Sequence, residues 1–447
     1  MILGSGWGGF KLIRETDKEK YQVVAVSPRN HFLFTPLLAS TSVGTLEFRC
    51  ITEPVRAYTG DVEYHQAWCD TIDFDKHKVA CTLNLATSPE TVDTPQHVEL
   101  QYDHLIISVG SYSNTFNIPG VKEHGFFLKE VSDARKIRQR VLECFERAEM
   151  AKTDQEKNDL LHFAVVGGGP TGVEFSSELH DFIREDCSRL FPSLMNHVTL
   201  AVYDVAPKIL ASFDQSLSEY CMTKFRRSGI EVRTETVIDR VEDGRLLLKG
   251  GQEVKFGCLV WSTGLTENPL VAALEGQVMK SRNRRILTDE YLRVLDPQGK
   301  IIPNVYALGD CATIKDHEVP QTAQVANQQA IWLRKALNTM AKRPEKDMTE
   351  ITKPFSFKNM GTMAYIGNWE AVVDMTTLNK EAKESGHMAW VFWRSSYLTM
   401  SVSLRNKMLI PMYWLTTWLF GRDVSSFQVY DRRHREAIGS RTNTHVV

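Results

Sequence analysis

The chain has 447 residues, of which 43% are hydrophobic, and a formal net charge of −2. This length suits two or three domains of roughly 100–200 residues each. The near-neutral charge argues against nucleic acid as the main partner, because proteins that bind duplexes normally carry a surplus of basic residues.

The chain opens on a glycine-rich turn, "MILGSGWGGF", in which Gly4, Gly6 and Gly9 have the spacing GxGxxG. The apolar residues before the turn read as the tail of a strand, so we expect residues to precede Met1 in the natural protein. In such a strand–turn–helix unit the glycines permit a tight turn, close approach of a pyrophosphate and close helix packing. The pattern predicts a dinucleotide cradle, and the alternative is an incidental glycine-rich turn.

The following strand, "YQVVAVSPRN", ends with Ser27 and Arg29, where an acidic residue would usually bind a ribose. This departure disfavours NAD in the first cradle and suggests that Arg29 contacts a phosphate or stacks on the adenine. Two further apolar strands, "YDHLIISVGS" and "FGCLVWSTGL", end in turns at Gly110 and Gly264. Small residues at such strand ends would let the backbone approach a ligand.

A second cradle follows a predicted amphipathic helix at 124–151 and a predicted charged loop at 152–159. In "VVGGGPTGVE", Gly167, Gly169 and Gly172 lie between an apolar strand and a helical stretch. The next strand carries Asp204 near its end, where a carboxylate would bind ribose hydroxyls and repel a 2′-phosphate. This favours NADH over NADPH, and the alternative is an exposed aspartate that serves only as a turn residue.

Two polar features follow the second cradle. The apolar strand "IIPNVYALGDCA" ends at Asp310, which would bind a ribityl hydroxyl of a flavin or cap the following helix. In the predicted helix "VPQTAQVANQQAIWL", Gln324 and Gln328 are four residues apart and therefore share one face. The alternative is a polar helix start that faces solvent.

The cysteines argue against a metal or disulfide centre. None of the eight forms a CxxC or CxxxxC pair, so we expect no zinc site, no redox disulfide and no metal. Haem and iron–sulfur spacings are also missing, so electrons would have to leave to a diffusible acceptor.

Residues 387–422 are basic, rich in tryptophan and without an acidic residue. An apolar helical stripe is predicted there, followed by a turn at "RNK" and a second apolar cluster. The stripe comprises Trp390, Trp393, Tyr397, Met400 and Leu404, and the cluster comprises Trp414, Leu415, Trp418, Leu419 and Phe420. The pattern predicts helices that lie in a membrane interface, and a dimer interface or a core-packing pair is the alternative.

The motifs "LGSGWGG", "SPRNHFLFTPLLASTSVGTLEFR", "VVGGGPTGVE" and "PQTAQVANQQA" resemble the type II (alternative, rotenone-insensitive) NADH:ubiquinone oxidoreductases of fungal and other mitochondria. The resemblance covers almost the whole chain. It implies an α/β fold with two Rossmann-like dinucleotide-binding domains and a C-terminal amphipathic membrane-anchoring segment. The expected limits are 1–127 and 286–350 for the FAD domain, 128–285 for the NADH domain, and 351–447 for membrane association and dimerisation.

The resemblance also implies the activity. Non-covalent FAD would occupy the first cradle and NADH the second, and electrons would pass through the flavin to membrane ubiquinone without proton pumping. The expected location is the mitochondrial inner membrane, as a peripheral homodimer attached through residues 387–422 on a face that the sequence does not fix.

Site residues follow from the same resemblance. Glu174 would lie between NADH and flavin, unless it only complements the helix dipole. Gln324 and Gln328 would line the quinone pocket, next to Asn327, which cannot relay a proton where some family members carry histidine. The remaining cofactor-binding residues would be Ser5, Trp7, Gly8, Thr35, Gln321 and Ala323 for FAD, and Gly168 and Thr171 for NADH.

Two other functions compete with this hypothesis. A sulfide-oxidising quinone reductase would need cysteines beside the flavin, and Cys311 is the only obvious candidate. The complete second fingerprint with Asp204 counts against it. An NADH-gated redox-signalling flavoprotein would form a long-lived reduced complex, whereas an enzyme would turn over with quinone.

Overall fold

A computed structural model describes residues 1–84 and 96–425 of the chain. Residues 426–447, which belong to the predicted C-terminal segment, lie outside the described residues.

The first sheet has ten strands, and its five central strands run parallel. Ile2–Leu3 and Leu105–Ile107 lie at its centre and are buried, as expected for a parallel sheet covered on both faces. In spatial order the strands are Ala312–Ile314, Ile286–Thr288, Arg293–Leu295, Ile301–Ala307, Leu105–Ile107, Ile2–Leu3, Val24–Ser27, Glu63–Asp73, Lys78–Leu83 and His97–Gln101. Helices Trp7–Glu15 and Ala323–Met340 pack against each other in the core.

Shorter elements complete the half of the molecule that contains the first sheet, here called the first half. A two-stranded ladder joins His31–Leu33 to Thr52–Pro54. The helical segments around it are Thr35–Leu37, Leu38–Ser42, Phe48–Cys50 and Val55–Ala57. A single turn, Gly309–Cys311, follows the strand Ile301–Ala307.

The second sheet has five parallel strands, in the order Phe126–Phe127, Cys258–Trp261, His162–Val166, Thr199–Tyr203 and Glu231–Arg233. A three-stranded antiparallel sheet, Ile238–Glu242, Arg245–Leu248 and Glu253–Lys255, packs on one face. The helical segments of this half are Val121–His124, Val131–Met150, Asp154–Leu160, Pro170–Phe182, Ile183–Cys187, Ser188–Leu190, Pro192–His197 and Gln215–Ser228.

The stretch before the second cradle differs from the prediction. The long helix spans only Val131–Met150, because Glu130 and Asp133 form a capping box at its start. The predicted charged loop contains the helix Asp154–Leu160, which begins with a second capping box between Thr153 and Glu156.

The predicted domain limits at 127/128 and 285/286 do not match the sheets. Phe126–Phe127 pairs with Cys258–Trp261 in the second sheet, so it belongs with the second half. Tyr112–Ser113 pairs with Leu265–Thr266, where the chain leaves and re-enters the first half. Helix Pro269–Ala273 already contributes to the first core. We therefore propose limits near 113 and 265, where sheet pairing changes.

The C-terminal segment forms a separate layer against both halves. After the short helix Met348–Ile351, its antiparallel strands are Thr362–Tyr365, Ala371–Asp374 and Lys383–Gly386, and its helices are His387–Met400 and Leu404–Phe420. The predicted "RNK" turn is wrong, because these residues lie in the first turn of the last helix, capped by Ser403. None of the helices in the described residues has both the length and the apolar character needed to cross a membrane.

Candidate functional site

In the first glycine-rich turn, Gly8 and Gly9 pack tightly against protein atoms, whereas the space beside Gly6 is free. Gly4 has a φ of +102°, and a Cβ added at Gly9 would lie 2.0 Å from the Gly4 carbonyl oxygen. A Cβ at Gly8 would lie 2.2 Å from Leu308 Cδ1, so this glycine packs against protein. A Cβ at Gly6 would meet nothing closer than Arg29 Nη2, at 3.8 Å. The free space above Gly6 is where a pyrophosphate would approach the backbone.

Two hydrogen bonds line the wall of this turn. Ser5 Oγ lies 2.9 Å from Ser27 Oγ. Trp7 Nε1 donates to Thr35 Oγ1 at 3.0 Å. The structure thus brings together four residues that the sequence predicted at one cofactor site.

Arg29 forms an ion pair that the sequence did not predict. Its Nη1 lies 3.1 Å from Glu130 Oε1, and Glu130 caps the helix Val131–Met150. A carboxylate therefore reaches the end of the strand Val24–Ser27 from another element. The capping pattern E-x-x-D before an apolar run was the only local signal of Glu130.

Predicted FAD-binding residues outside the first glycine-rich turn meet around Asp310. Asp310 Oδ2 accepts from Ser111 Oγ at 3.1 Å, and Gln321 Nε2 donates to the Asp310 carbonyl at 2.9 Å. Gly110 has a φ of +70°, and a Cβ there would meet no atom within 4 Å. Ala323 begins the helix Ala323–Met340. Asp310 lies in a single turn and does not cap that helix, whose cap is Thr322.

The sequence did not predict two residues near Asp310. Gln329 Oε1 accepts from the Gly309 backbone at 2.8 Å and so fixes the turn that carries Asp310. Lys129 Nζ donates to the Ser111 carbonyl at 3.0 Å. Burial lowers the pKa of Lys129, although Asp310 attracts its charge.

The second glycine-rich turn has the same geometry as the first. Gly167 has a φ of +116°, and a Cβ at Gly172 would lie 1.9 Å from the Gly167 carbonyl oxygen. A Cβ at Gly169 would meet no atom within 4 Å. Thr171 is exposed on the first helical turn.

Asp204 holds the second turn directly. Its Oδ2 accepts from Gly168 N at 2.5 Å, and its Oδ1 accepts from Ala206 N at 2.7 Å. Each oxygen keeps a further lone pair, so the carboxylate can also accept from ribose hydroxyls. A Cβ at Gly264 would lie 2.5 Å from Phe116 Cζ, so this glycine packs against a protein side chain, and its approach to a ligand stays a prediction.

Glu174 joins the second cradle to the C-terminal segment. Its side chain is 8% exposed, and Oε1 accepts from Tyr365 N and from Trp393 Nε1, both at 3.1 Å. Burial raises the pKa of Glu174 to about 8. At neutral pH this carboxyl is therefore largely protonated, unlike a first-turn glutamate that only complements a helix dipole.

Gln324 and Gln328 each use both amide atoms on one loop. Gln324 donates to the Gly361 carbonyl at 2.7 Å and accepts from Met360 N at 3.0 Å. Gln328 does the same with the two backbone groups of Lys358, at 2.8 and 3.0 Å. The two glutamines share a face, as predicted, and that face holds residues 358–361.

The predicted aromatic stripe is divided between two environments. Trp393 is 3% exposed and Tyr397 packs in the core, whereas Leu404 is 75% exposed. Arg394 stacks on Trp390 and Trp414, with its guanidinium carbon 4.3 and 4.2 Å from the ring centroids. The exposed apolar face of the two helices consists of Met388, Val391, Phe392, Met400, Leu404, Met408, Met412, Leu415, Trp418, Leu419 and Phe420.

Both turns fit a dinucleotide. Each has a side-chain-free approach at its middle glycine, above the N-terminus of Trp7–Glu15 or of Pro170–Phe182. The N–H groups of a helix start attract phosphate. The residues present therefore fit FAD in the first turn and NADH in the second.

Comparisons with known proteins agree with this geometry. The model of the family described as "Pyridine nucleotide-disulphide oxidoreductase" matches residues 1–330, and that of the "NDH2 C-terminal domain" matches residues 359–423. A "Probable NADH dehydrogenase" of Dictyostelium discoideum is 42% identical, covering 96% of this chain and 91% of that protein. The "Internal alternative NAD(P)H-ubiquinone oxidoreductase A1, mitochondrial" of Solanum tuberosum is 39% identical, covering 95% and 87%.

Solved structures give the same result for the fold. The structure of NDH2 from Plasmodium falciparum in complex with NADH has a TM-score of 0.86 and 27% identity, covering 95% of this chain and 99% of that one. The sulfide:quinone oxidoreductase of Aquifex aeolicus is 15% identical with a TM-score of 0.67, and so shares the fold alone. The chain therefore belongs to the pyridine nucleotide-disulphide oxidoreductase family and, within it, to the type II (alternative) NADH dehydrogenases.

Proposed function

We propose that this protein is an FAD-dependent NADH:ubiquinone oxidoreductase that does not pump protons. The observation that carries this proposal is the presence of two complete dinucleotide turns in one chain whose eight cysteines are all free. A flavoprotein with two such turns and no disulfide has to deliver its electrons to an external acceptor.

The two turns have different tasks in this proposal. When bound, FAD would supply the redox chemistry, by taking a hydride from NADH and delivering two electrons to quinone. Gly6 leaves room for the FAD pyrophosphate. The Asp310 carboxylate accepts a hydrogen bond from a ribityl hydroxyl. Asp204 accepts from the ribose of NADH and disfavours a 2′-phosphate.

The cofactors meet between the second turn and the C-terminal segment. Glu174 borders this region as a largely protonated acid, held by Tyr365 and Trp393. Gln324 and Gln328 shape the quinone side by fixing residues 358–361, rather than by offering free amides.

A sulfide-oxidising reaction fits poorly. Cys311 is buried and donates to the Leu308 carbonyl at 3.2 Å. Burial raises the pKa of Cys311 to about 11, so its thiolate, the nucleophilic form, is scarce at neutral pH.

The C-terminal helices provide the membrane contact in this proposal. Eleven large apolar side chains are exposed on Met388–Phe420, including Phe420 at 83%. Fully burying one such side chain contributes roughly 1.5–3 kcal/mol, so partial insertion of several would hold the protein on a bilayer. The site would then be the mitochondrial inner membrane, in line with the mitochondrial names of the relatives. A homodimer sharing part of this face is compatible with it.

Anaerobic spectroscopy tests the activity. The purified protein should be yellow and release FAD on denaturation, NADH should bleach the flavin within seconds, and a short-chain quinone should restore it. Bound FAD that NADH cannot bleach would contradict the proposal. A reduced complex that quinone does not reoxidise would indicate a redox-signalling protein instead.

Liposome flotation tests the membrane contact. The triple variant Leu404→Glu, Met408→Glu, Phe420→Glu should no longer float, because it places charge on the exposed apolar face. The matched control Met150→Glu, Leu190→Glu, Val237→Glu changes exposed apolar residues elsewhere and should float normally. Light scattering of both variants measures whether each is a dimer. If the Leu404, Met408 and Phe420 triple variant is monomeric but still floats, the exposed apolar face serves dimerisation rather than membrane contact.

A further inference from the structure

Reduction of quinone by NADH consumes one proton from water, since NADH + H⁺ + quinone gives NAD⁺ + quinol. The hydride carries two electrons and one proton, so the second proton has to reach a buried site from outside. Asn327 cannot titrate, and the predicted quinone residues Gln324 and Gln328 cannot supply a proton either. This inference rests on the proposed function.

The helix Pro170–Phe182 carries three buried acidic side chains on the face turned toward the C-terminal segment. Glu174 is 8% exposed, Glu178 5% and Asp181 5%. Residues three and four apart on a helix are neighbours, with Cβ atoms about 5–6 Å apart. The three carboxyl groups therefore form a row that starts next to the second cradle.

Glu178 is the middle of this row and is held from outside its helix. Ser40 Oγ donates to its Oε1 at 2.6 Å, and Thr45 Oγ1 donates to its Oε2 at 2.7 Å. Arg422 Nε donates in turn to Thr45 Oγ1 at 2.9 Å. Burial raises the pKa of Glu178, against the attraction of the Arg422 charge, so this carboxyl takes up a proton more readily than an exposed one.

A cavity of about 280 Å³ lies beside two members of this row. Its lining includes the buried Glu178 and Asp181 and the exposed Glu185 and Arg189, so it extends from these two carboxyl groups to the surface. Tryptophan side chains form much of the remaining wall. A space of this volume and with these polar groups can hold several water molecules, each of which needs two to four polar partners.

Glu174 has a free oxygen at the inner end of the row. Both of its donors, Tyr365 N and Trp393 Nε1, bond to Oε1. Across the part of the chain that the structure describes, no donor bonds to Oε2. This oxygen can therefore take a proton without the loss of an existing hydrogen bond.

We propose that Glu178 relays the substrate proton from the tryptophan-lined cavity to Glu174. Glu174, protonated at rest, gives its proton to a quinone oxygen, so its O–H bond breaks as the O–H bond of the quinol forms. Glu178 then passes a proton to Glu174 Oε2, directly or through one water molecule. A hydronium O–H bond in the cavity breaks as an O–H bond forms again on Glu178. No electron moves in these steps, and one proton is delivered for each NADH oxidised.

Burial and the neighbouring Asp181 favour the protonated form of Glu178, whereas the Arg422 charge opposes it. The groups that face it come from its own helix, from the segment between the strands His31–Leu33 and Thr52–Pro54, and from the C-terminal segment. They are Glu174 and Asp181, Ser40 and Thr45, and Tyr365, Arg394 and Arg422. Arg422 is already paired with Asp186 at 2.8 Å and with Glu185 at 2.7 Å, so its charge is partly neutralised.

The test compares two acceptors in the Glu178→Gln holoenzyme. Glutamine keeps the size of the side chain but cannot carry the proton, so turnover with quinone at pH 8 should fall about 100-fold, a typical loss for a positioned proton donor. Ferricyanide reduction should persist, because oxidation of NADH by ferricyanide releases a proton and consumes none. The persistence of NADH bleaching separates failure of the relay from failure of the proposed function.

Glu53→Gln is the matched control. Glu53 is another buried glutamate that holds the C-terminal helices, through Ser403 N at 3.1 Å and Asn406 Nδ2 at 2.8 Å, but it lies off the cavity. If Glu178 only anchors the segment, both variants should lose quinone turnover alike. That result, or equal losses with quinone and ferricyanide in Glu178→Gln, would overturn the relay.

Infrared titration of the resting holoenzyme gives a readout independent of turnover. The wild type should show the carbonyl stretch of protonated carboxylic acids near neutral pH, and Glu178→Gln should remove one titrating component. A titration that is identical in wild type and variant would show that Glu178 does not change protonation, and would overturn the proposal.

Discussion

At the first cradle, a Cβ added to Gly9 would lie 2.0 Å from the Gly4 carbonyl, and at the second, one added to Gly172 would lie 1.9 Å from the Gly167 carbonyl. The two turns thus meet the same steric constraint at the third glycine. The strand ends beside them differ. The first half offers Arg29 paired with Glu130, and the second offers Asp204 bonded to Gly168. We therefore expect the turn to accommodate a pyrophosphate and the strand end to select the nucleotide.

Both halves hold the C-terminal segment through side chains that bond to its backbone and to its side chains. In the first half, Gln324 and Gln328 bond to backbone groups of residues 358–361, and Glu53 accepts from the Asn406 side chain. In the second half, Glu174 accepts from the Tyr365 backbone and from the Trp393 side chain.

Alanine at the third glycine of each turn should have the largest effect. Gly9→Ala should abolish FAD retention, and Gly172→Ala should abolish NADH binding while FAD remains, because each Cβ would collide with a backbone oxygen that cannot move aside. The flavin-to-protein absorbance ratio and an NADH titration measure the two losses. Loss of FAD in both variants would show that the halves do not fold independently.

Removal of the Glu174 carboxyl should change the pH dependence of stability. The native pKa of about 8 lies above the ordinary value of 4.5, so between these values the unfolded chain binds fewer protons than the native one. The free energy of unfolding of the wild type should therefore fall as pH rises through this window. Glu174→Gln should lack this pH dependence. Relative to low pH, its free energy of unfolding at pH 8 should therefore exceed that of the wild type by up to about 4 kcal/mol.

Chemical denaturation of both proteins at pH 5 and pH 8 measures the difference. Glu178 is present in both and contributes to each curve, so the comparison isolates Glu174. Parallel pH dependences would contradict the raised pKa.

Substitution at the strand ends should separate the two nucleotide preferences. Asp204→Ala should raise the KM for NADH. A basic residue at position 204 should reduce the ratio of kcat/KM for NADH to kcat/KM for NADPH. A charge-assisted contact of about 1.5–3 kcal/mol corresponds to roughly 10–100-fold in specificity. Arg29→Met is the matched change in the first half and should leave the NADH/NADPH ratio unaltered. An unchanged ratio in Asp204→Ala would show that this carboxylate does not read the ribose.

Replacement of Gln324 and Gln328 by leucine should have the smallest effect. Without the four amide–backbone hydrogen bonds, residues 358–361 should loosen, and quinone turnover should fall about tenfold if roughly 1.4 kcal/mol of positioning is lost. Ferricyanide reduction should persist. Equal loss with both acceptors would mean that the helix supports the flavin rather than the quinone side.

Features that depend on local spacing could be predicted from the sequence. The GxGxxG turns, Asp204 at a strand end and the shared face of the two glutamines all follow from short-range geometry. Glu130 could not be predicted, because it reaches Arg29 from 101 positions along the chain. The change of sheet pairing near residues 113 and 265 could not be predicted, because two-residue strands such as Phe126–Phe127 have no periodicity to detect.

The C-terminal stripe shows a different limit. Helical spacing identified Trp390, Trp393 and Tyr397 as one apolar face, but spacing does not state what that face contacts. In the structure it packs on the enzyme, because Trp393 has an indole N–H to satisfy and Glu174 accepts it. The apolar residues between and beyond them, such as Val391 and Phe392, are the exposed ones.

The paired strands Tyr112–Ser113 and Leu265–Thr266 also determine the order in which the chain can assemble during synthesis. The second sheet is complete once Cys258–Trp261 has been made. In the first sheet, Leu105–Ile107 must wait for its neighbour Ile301–Ala307, and the sheet is complete only with Ala312–Ile314. Contacts of such large sequence separation form late, and domains generally fold as units. The nascent chain should therefore expose the edge of the unfinished first sheet while the inserted half is already folded, and chaperone demand during synthesis should be greatest in that interval.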